Sequence, residues 1–368
     1  MNYREITLRD VIHFKNGKKR PASEGNIPVY GGNGVLGYAG ESNYEHCIII
    51  GRVGAYCGSV YLEEGKCWVS DNAIAAVPTG GNDIRFFYYL LKGLRLNERH
   101  IGTSQPLLTQ EILNKINCEV PSYPEQQRIA ELLGSLDRKI NVNQKLNDNL
   151  YAQAKATTKQ WISKSTGDYE LLPLSDIASI NPDTYSPKET WKYVNYLDTS
   201  SITEGCIAEI QHITPSSEKL PSRARRKIAP NDIVFSTVRP NQRHYGIINE
   251  PLPNMLGSTG FAVIRSKNPL VCNELIYLCL TENEFIEKMQ QLAEQSTSTF
   301  PSIKPSDLGV CEIPCPKDQS STSFTETLKS LFALIAANQR ENISLSEIRD
   351  ALLPKLMSGE IDVSDIQL

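Results

Sequence analysis

The chain has no long apolar run. The run at residues 47–50 is four residues long and the longest, residues 331–337, is seven, whereas a helix crossing a bilayer needs about 20. A helical membrane span is therefore excluded. The first residues, Met1-Asn2-Tyr3-Arg4-Glu5, lack the apolar core of a secretory signal. Nine cysteines are scattered with no Cys-x-x-Cys pair, which argues against a disulfide framework or a zinc knuckle and suits a reducing cytoplasm. Five histidines form no His-Glu-x-x-His, and no resident metal is expected. No Gly-x4-Gly-Lys-Ser/Thr loop is present, so a P-loop ATPase is excluded. No Asn/Asp-Pro-Pro-Tyr/Phe motif for adenine methylation occurs; Asn181-Pro182-Asp183 is not one. No carboxylate–lysine cluster of a nuclease stands out. Neither sign of charge dominates. With 38 Lys+Arg against 42 Asp+Glu the net charge is −4, which argues mildly against nucleic-acid binding through bulk charge alone. These absences describe a binder with no cofactor of its own rather than an enzyme.

What is present is a globular composition, 40% hydrophobic and 22% charged over 368 residues. That length predicts two domains or three at roughly 100–200 residues each. The chain is also written twice. Ile6-Thr7-Leu8-Arg9-Asp10-Val11-Ile12 resembles Leu172-Pro173-Leu174-Ser175-Asp176-Ile177-Ala178, an offset of 166. Leu108-Thr109-Gln110-Glu111-Ile112-Leu113 matches Ile303-Lys304-Pro305-Ser306-Asp307-Leu308 at an offset of 195. Pro106 matches Pro301, and Asn143-Gln144 matches Asn338-Gln339, at the same offset. The offset grows because the second copy carries insertions. The period is far too long for a solenoid and implies two related half-molecules.

Each half has one layout. Short apolar runs broken by Gly, Pro and Asn come first: residues 47–50, 58–62 and 72–77, then 232–238 and 260–264. They predict short strands of a twisted, mostly antiparallel sheet. A helix follows over residues 83–99 and again over 273–293. A long helix closes each half, over 125–163 and 321–358. The fold class expected is α/β (α+β): two pseudo-symmetric domains with small twisted sheets, joined by two long helices in an antiparallel coiled coil.

The long helices carry a 3.5-residue apolar repeat, the coiled-coil signal. In the first helix the positions are Ile129, Leu136, Asn143, Leu150 and Thr157, with Leu133, Ile140, Asn147, Ala154 and Trp161. In the second they are Phe324, Leu331, Asn338, Leu345 and Leu352, with Leu328, Ile335, Asn342, Arg349 and Leu356. Two Asn sit mid-seam in each helix, the usual device for fixing register. An antiparallel pairing about residues 145 and 340 sets Asn143 near Asn342 and Asn147 near Asn338. It also sets Ile140 against Leu345, Trp161 against Phe324, and Leu136 against Arg349, the one poor match. Helices of about 35 residues are about 52 Å long, and DNA repeats every ~34–36 Å. Such a rod suits two readers on one polymer.

At this point the sequence resembles the specificity subunit of type I restriction–modification systems. Pro124-Glu125-Gln126-Gln127-Arg128-Ile129-Ala130 with Leu132-Leu133, Leu136-Asp137 and Ile140 is similar to the family's central conserved region. Leu352-Leu353-Pro354-Lys355-Leu356-Met357-Ser358-Gly359-Glu360-Ile361 is similar to its C-terminal signature, and Pro28-Val29-Tyr30-Gly31-Gly32-Asn33-Gly34 recurs in such domains. One departure is Pro316-Lys317-Asp318-Gln319 in place of Pro124-Glu125-Gln126. The resemblance implies two target recognition domains, residues 1–122 and 166–316. It implies a central conserved helix over 123–165 and a C-terminal helix and tail over 317–368. Each domain would read one half of a bipartite site in double-stranded DNA. Two methyltransferase subunits would dock on the helices and restriction (translocase/nuclease) subunits would join, bringing S-adenosylmethionine, ATP and Mg²⁺ with them. A self-contained restriction–methylation enzyme and a coiled-coil scaffold are the other two classes. The missing methylation motif counts against the first, and the matched polar loops against the second.

The DNA-facing candidates are local. Gly32-Asn33-Gly34-Val35-Leu36-Gly37 fits Gly-x-Gly-x-x-Gly, but no helix follows, so a glycine-rich turn is expected and not a dinucleotide site. Lys15, Lys18, Lys19 and Arg20 form a basic loop. Arg223, Arg225, Arg226 and Lys227 form a second cluster. Such groups supply phosphate affinity rather than base choice. Arg239, Asn241, Gln242, Arg243, His244 and Tyr245 lie in a turn between two expected strands, with Arg for guanine and Asn or Gln for adenine. Arg52 and Tyr56 hold the corresponding place in the first half, and Asn33 of the glycine-rich turn is a further candidate. The polar loops with Thr103, Ser104 and Gln105, and with Thr297 and Ser298, also correspond. Residues 1–120 hold 13 Lys+Arg and 12 Asp+Glu; residues 170–315 hold 13 and 17. Bulk charge cannot bind the second half to DNA, so weak binding by the chain alone is expected, and tight binding with partners.

Overall fold

The computed structural model describes residues 3–102, 105–164, 167–186, 188–296 and 300–364. It divides into two compact units, one of Met1–Asn143 with Arg340–Leu368, the other of Gln144–Gln339.

The first unit contains strands β1 (Arg4–Thr7), β2 (Ile12–Asn16), β3 (Ile27–Gly31), β4 (Gly34–Ala39), β5 (Tyr44–Gly51), β6 (Val60–Val69), β7 (Ala73–Pro78) and β8 (Asn117–Val120), and helix α1 (Ile84–Gly93). Six strands form a sheet in the order β2-β7-β5-β6-β3-β4, and β1 pairs with β8 apart from it. All pairings are antiparallel except β3 with β6. The apolar run 47–50 is continuous because β5 is covered on both faces. Ile48 and Ile50 enter a core with Phe86, Phe87 and Leu8, while Cys47 and Ile49 enter a second cluster with Tyr30, Cys67 and Val69. Successive side chains of a strand point to opposite faces, so a strand buried on both must be apolar throughout.

The second unit contains β9 (Tyr169–Pro173), β10 (Ala178–Ile180), β11 (Val194–Leu197), β12 (Ile202–Thr203), β13 (Cys206–Ile207), β14 (Gln211–Ile213), β15 (Ala224–Lys227), β16 (Asp232–Ser236), β17 (Tyr245–Ile248), β18 (Met255–Ser258), β19 (Phe261–Ser266) and β20 (Glu312–Pro316), with helices α2 (Asn273–Leu280) and α3 (Asn283–Glu294). The order β10-β19-β16-β17 repeats β2-β7-β5-β6 of the first unit. Like β5, β16 is covered twice: Ile233 and Phe235 join one core, Val234 another with Leu197, Phe261 and Val263. What is added to this frame differs. The first unit extends it with the β3–β4 hairpin, whereas the second carries a separate sheet, β14-β11-β18-β15, and the small hairpin β12–β13.

The duplication is visible in single backbone bonds. Leu8 N–H donates to the Ile116 carbonyl (2.9 Å) as Leu174 N–H does to Cys311 (2.8 Å). Gly54 N–H donates to Pro106 (3.0 Å) as Arg239 N–H does to Pro301 (2.9 Å). The offsets of 166 and 195 read from the sequence are therefore offsets between equivalent bonds.

Two long helices pass through the units, a central helix over Tyr123–Lys164 and a C-terminal helix over Thr322–Met357. In the first unit they run antiparallel. Asn143 Nδ2 donates to Asn342 Oδ1 (2.9 Å) and to Glu341 Oε2 (2.7 Å). In the second unit they are again antiparallel. Asn338 Nδ2 donates to Asn147 Oδ1 (2.8 Å), and the rings of Trp161 and Phe324 stack with centroids 4.4 Å apart.

Four expectations need correction. The helix expected over 83–99 ends at Gly93, because Arg95 turns left-handed (φ 48°) before a 3-10 turn at Leu96–Glu98. The helix expected over 273–293 is two: Thr281 Oγ1 bonds back to the Tyr277 carbonyl (2.8 Å) and Glu282 is extended. Arg349 is not a poor match, for its guanidinium reaches past Leu136 to Asp137 (2.7 Å). Gln126 does not correspond to Gln319. The ladders Ile6↔Cys118 and Leu172↔Ile313 keep the 195 offset, which makes Ser321 the counterpart of Gln126 in the second half.

Candidate nucleic-acid interface

In the first unit the glycine-rich stretch is a hairpin. Gly31 pairs with Gly34, leaving Gly32-Asn33 as a two-residue turn, the tightest common connection between antiparallel strands. Gly34 has φ +93°, a region that side-chain-bearing residues rarely adopt. Gly32 lies against the 3-10 turn Gly54–Tyr56. A Cβ there would stand 3.6 Å from Tyr56 Cβ and 3.7 Å from the Val53 carbonyl. The Gly32 carbonyl accepts from the Ser59 and Tyr61 hydroxyls. Asn33 and Tyr56 are thus brought together, both exposed. Arg52 opens the same turn. Its Nη1 reaches the Asp71 carbonyl only at 3.5 Å, and its Nε is buried with no partner. A guanidinium with uncommitted donors, a carboxamide and an exposed phenol together suit base edges in a groove.

The basic loop expected over 15–20 is only partly a loop. Lys15 lies in β2, paired with Ala75, because the apolar alternation Ile12, Phe14 carries the strand through it. Lys18 bonds through its backbone to Val69 (3.0 Å), and its side chain and that of Lys19 are exposed. Arg20 is committed to the hairpin, donating Nη2 to the Tyr38 carbonyl (3.1 Å).

In the second unit the turn between β16 and β17 contains the 3-10 helix Pro240–Gln242, flanked by Arg239 and Arg243, both left-handed (φ 47° and 57°). Arg239, Asn241 and Gln242 are exposed. Arg243 is held on the surface by Glu204 (3.2 Å) and Asn283 (2.9 Å). His244 turns inward, with Nδ1 at 2.7 Å from the Ile202 carbonyl. Tyr245 is a correction. It is 3% exposed and sits in the core beside Phe235 and Tyr277, because it begins β17 on the face that turns inward. It belongs to packing, not to a DNA surface.

Arg223 is exposed. Arg225 and Arg226 are in strand β15, not a loop. Arg225 Nε donates to the Ser222 carbonyl (3.3 Å). Burial lowers the pKa of Arg226, whose Nε has no partner. Lys227 pairs with Glu189 (2.7 Å) and lies 5.4 Å from the Trp191 ring centre. That bond, first among the causes, draws the Glu189 carboxyl below its ordinary pKa. Gln105 is exposed in a loop closed by two bonds between Ile101 and Leu107, each 2.9 Å. Thr103, Ser104, Thr297 and Ser298 lie outside the described residues.

Two aromatic groups escaped the sequence reading. Tyr38 is 57% exposed on β4, where its alternation with buried Ala39 was a usable signal. Phe300 lies beneath Arg239, 5.3 Å from the guanidinium carbon to the ring centre. Only its neighbourhood to the Ser/Thr loop hinted at it.

Residues 2–152 match the family model of the type I restriction modification DNA specificity domain. This stretch covers the whole β2-β7-β5-β6 frame, its hairpin, the Gly54–Tyr56 turn and most of the central helix. The chain is also similar to curated proteins. The chain is 33% identical over 116 residues to the type I restriction enzyme EcoprrI specificity subunit of Escherichia coli, covering 31% of this chain and 29% of that protein. It is 25% identical over 317 residues to the MjaIX specificity subunit of Methanocaldococcus jannaschii, covering 79% and 72%. The match thus spans under a third of the first relative's length. A crystal structure of a type I restriction–modification S subunit from M. genitalium shares the fold, with TM-score 0.60 at 18% identity over 99% of this chain and 97% of that one. These similar proteins are named as type I restriction specificity subunits, the family that the motifs resemble. Among the described residues no helix is long and apolar enough to cross a membrane, and no cluster of His, Cys, Asp and Glu is placed to hold a metal ion.

Proposed function

We propose that this chain is a non-catalytic DNA sequence-specificity subunit in which each half reads one block of a bipartite site. The observation that carries this reading is one frame used twice with different additions. Both units present a 3-10 turn from the same place on a four-stranded frame, Gly54–Tyr56 in one and Pro240–Gln242 in the other. The first surrounds its turn with Asn33 and Arg52, the second with Arg239, Asn241 and Gln242. A shared scaffold with unlike polar tips suits two readers with unlike targets. The lysines and arginines nearby would hold phosphates. The paired helices would set the unread spacer and dock two methyltransferase subunits, which bring S-adenosylmethionine; restriction subunits would bring ATP and Mg²⁺.

The test is a map of methylated adenines in host DNA with and without the gene. Loss, on deletion, of methylation at one motif of two short blocks and a fixed gap supports the reading. An unchanged map, with no methyltransferase co-purifying, would shift weight to a scaffold role.

A further inference from the structure

One carboxylate in the first unit touches three elements. Asp137, on the central helix, accepts at Oδ2 from the Tyr89 hydroxyl of α1 (2.7 Å). At Oδ1 it accepts from Arg349 Nη1 of the C-terminal helix (2.7 Å). Arg349 also pairs with Asp350 at 2.8 Å. Tyr89 is 4% exposed and the side chains of Arg349 and Asp137 are 20% and 30% exposed. Partial burial makes such a charge-assisted pair directional and stronger than a surface pair. Helix α1 packs in the same core as Ile48 and Ile50 of β5 and, at its edge, Val60 and Leu62 of β6, the two strands that flank the turn with Arg52 and Tyr56. The link therefore runs from the two helices, through Asp137 and Tyr89, to the frame that presents the candidate reading groups.

The second unit solves the same joint without charge. At the 195 offset Asp137 becomes Phe332 and Arg349 becomes Ala154. Tyr277 of α2 meets the Phe332 ring edge-on at 5.8 Å, with Tyr151 at 6.2 Å from Phe332. Ala154 is fully buried. An apolar cluster tolerates small rotations at little cost. A bidentate acceptor with two fixed donors does not, since hydrogen bonds weaken steeply with angle.

We infer that Asp137 is a positioning residue, fixing the angle at which the first specificity domain leaves its helices and so the spacing at which that domain accepts its block. This rests on the bipartite reading proposed above. The experiment replaces the chromosomal gene with Asp137→Ala, Tyr89→Phe or Arg349→Ala and maps adenine methylation. With Asp137→Ala, sites whose gap differs by one base pair, or whose block on one side is degenerate, should be methylated at least several-fold above wild type. The other block should stay strict. Tyr89→Phe keeps the ring and loses one bond, so it should give a smaller shift of the same kind even if Asp137→Ala fails to accumulate. Phe332→Leu should leave the gap unchanged. A uniform drop in methylation at unchanged sites in all three variants means Asp137 serves only stability and overturns the inference, while the bipartite reading stands. A wild-type map with no split motif overturns the bipartite reading itself, and the inference with it.

Discussion

The asparagine pair in the first unit's helix seam gives a measurable prediction. Asn143 is 1% exposed and donates to Asn342 and to Glu341. Changing Asn143 to Leu removes a neutral hydrogen bond of about 1 kcal/mol and one to a carboxylate of about 1.5–3 kcal/mol. Glu341 recovers part of this, because it keeps Lys139 at 3.2 Å and is 45% exposed to water. Asn342 loses its partner in the seam, at a cost of about 1–3 kcal/mol. Burying the leucine returns about 1–2 kcal/mol. The single variant should therefore be about 1–3 kcal/mol less stable. Asn143→Leu with Asn342→Leu replaces both partners by apolar groups, and should lie within about 1 kcal/mol of wild type. The cycle then shows a coupling of at least about 1 kcal/mol. Urea unfolding followed by helical circular dichroism measures all four proteins; since two units unfold, the transition of the first must be fitted separately. A double variant that costs the sum of the two singles would refute the pairing. If it holds, the leucine seam should also lose register, because apolar seams slide where asparagine does not.

Gln126 is 2% exposed, accepts from Asp83 N–H (3.0 Å) and donates to Asn82 Oδ1 (3.0 Å) and the Pro121 carbonyl (3.1 Å). Gln126→Ala should cost about 2–3 kcal/mol, seen as a drop of about 5 °C or more in the first unit's unfolding temperature. Trp161→Ala should cost about 3–5 kcal/mol in the second unit by urea unfolding, since it loses both the stack on Phe324 and the bond to Ser321 Oγ (3.1 Å). Burial pushes the Tyr151 phenol up to about 12, against about 10 when unfolded. Folding favours the neutral form, so this stability is complete below pH ~10 and fades as pH rises toward 12. Tyr151→Phe should flatten the loss of stability between pH 10 and 12. On the reading proposed above, Lys18→Ala with Lys19→Ala should weaken DNA binding equally for all sequences. It should also reduce the salt slope by about one for each phosphate released.

Much of this was legible in the sequence because it rests on local or periodic signals. The run 47–50 is a strand covered on both faces, and nothing but an apolar run satisfies that. The duplication survived as the same residues at offsets of 166 and 195, because each copy must rebuild the same ladder bonds at Leu8 and Leu174. The long helices announced themselves by heptads, and the asparagines in their seams by breaking those heptads at matching places. Such patterns are properties of neighbours in the chain, and the chain alone carries them.

Side-chain direction was decided elsewhere. Tyr245 looked like part of an exposed turn, yet one residue after His244 the strand turns it into the core, and a period of two flips every side chain with a single step. Arg349 looked like a flaw in the seam until Asp137, one position away from its expected opposite, supplied the charge. The helix breaks at Arg95 and Glu282 depend on a left-handed residue and an extended cap that no periodicity records. Asn33 lies 19 residues before Arg52 and comes to the Gly54–Tyr56 turn because its two-residue hairpin turn lies against that 3-10 turn. The sequence by itself determined the repeat and the two long helices, and it carries the resemblance of residues 2–152 to a type I specificity domain. Tertiary structure alone decided which polar groups face outward together, because a side chain's partners are set by strands and helices far along the chain.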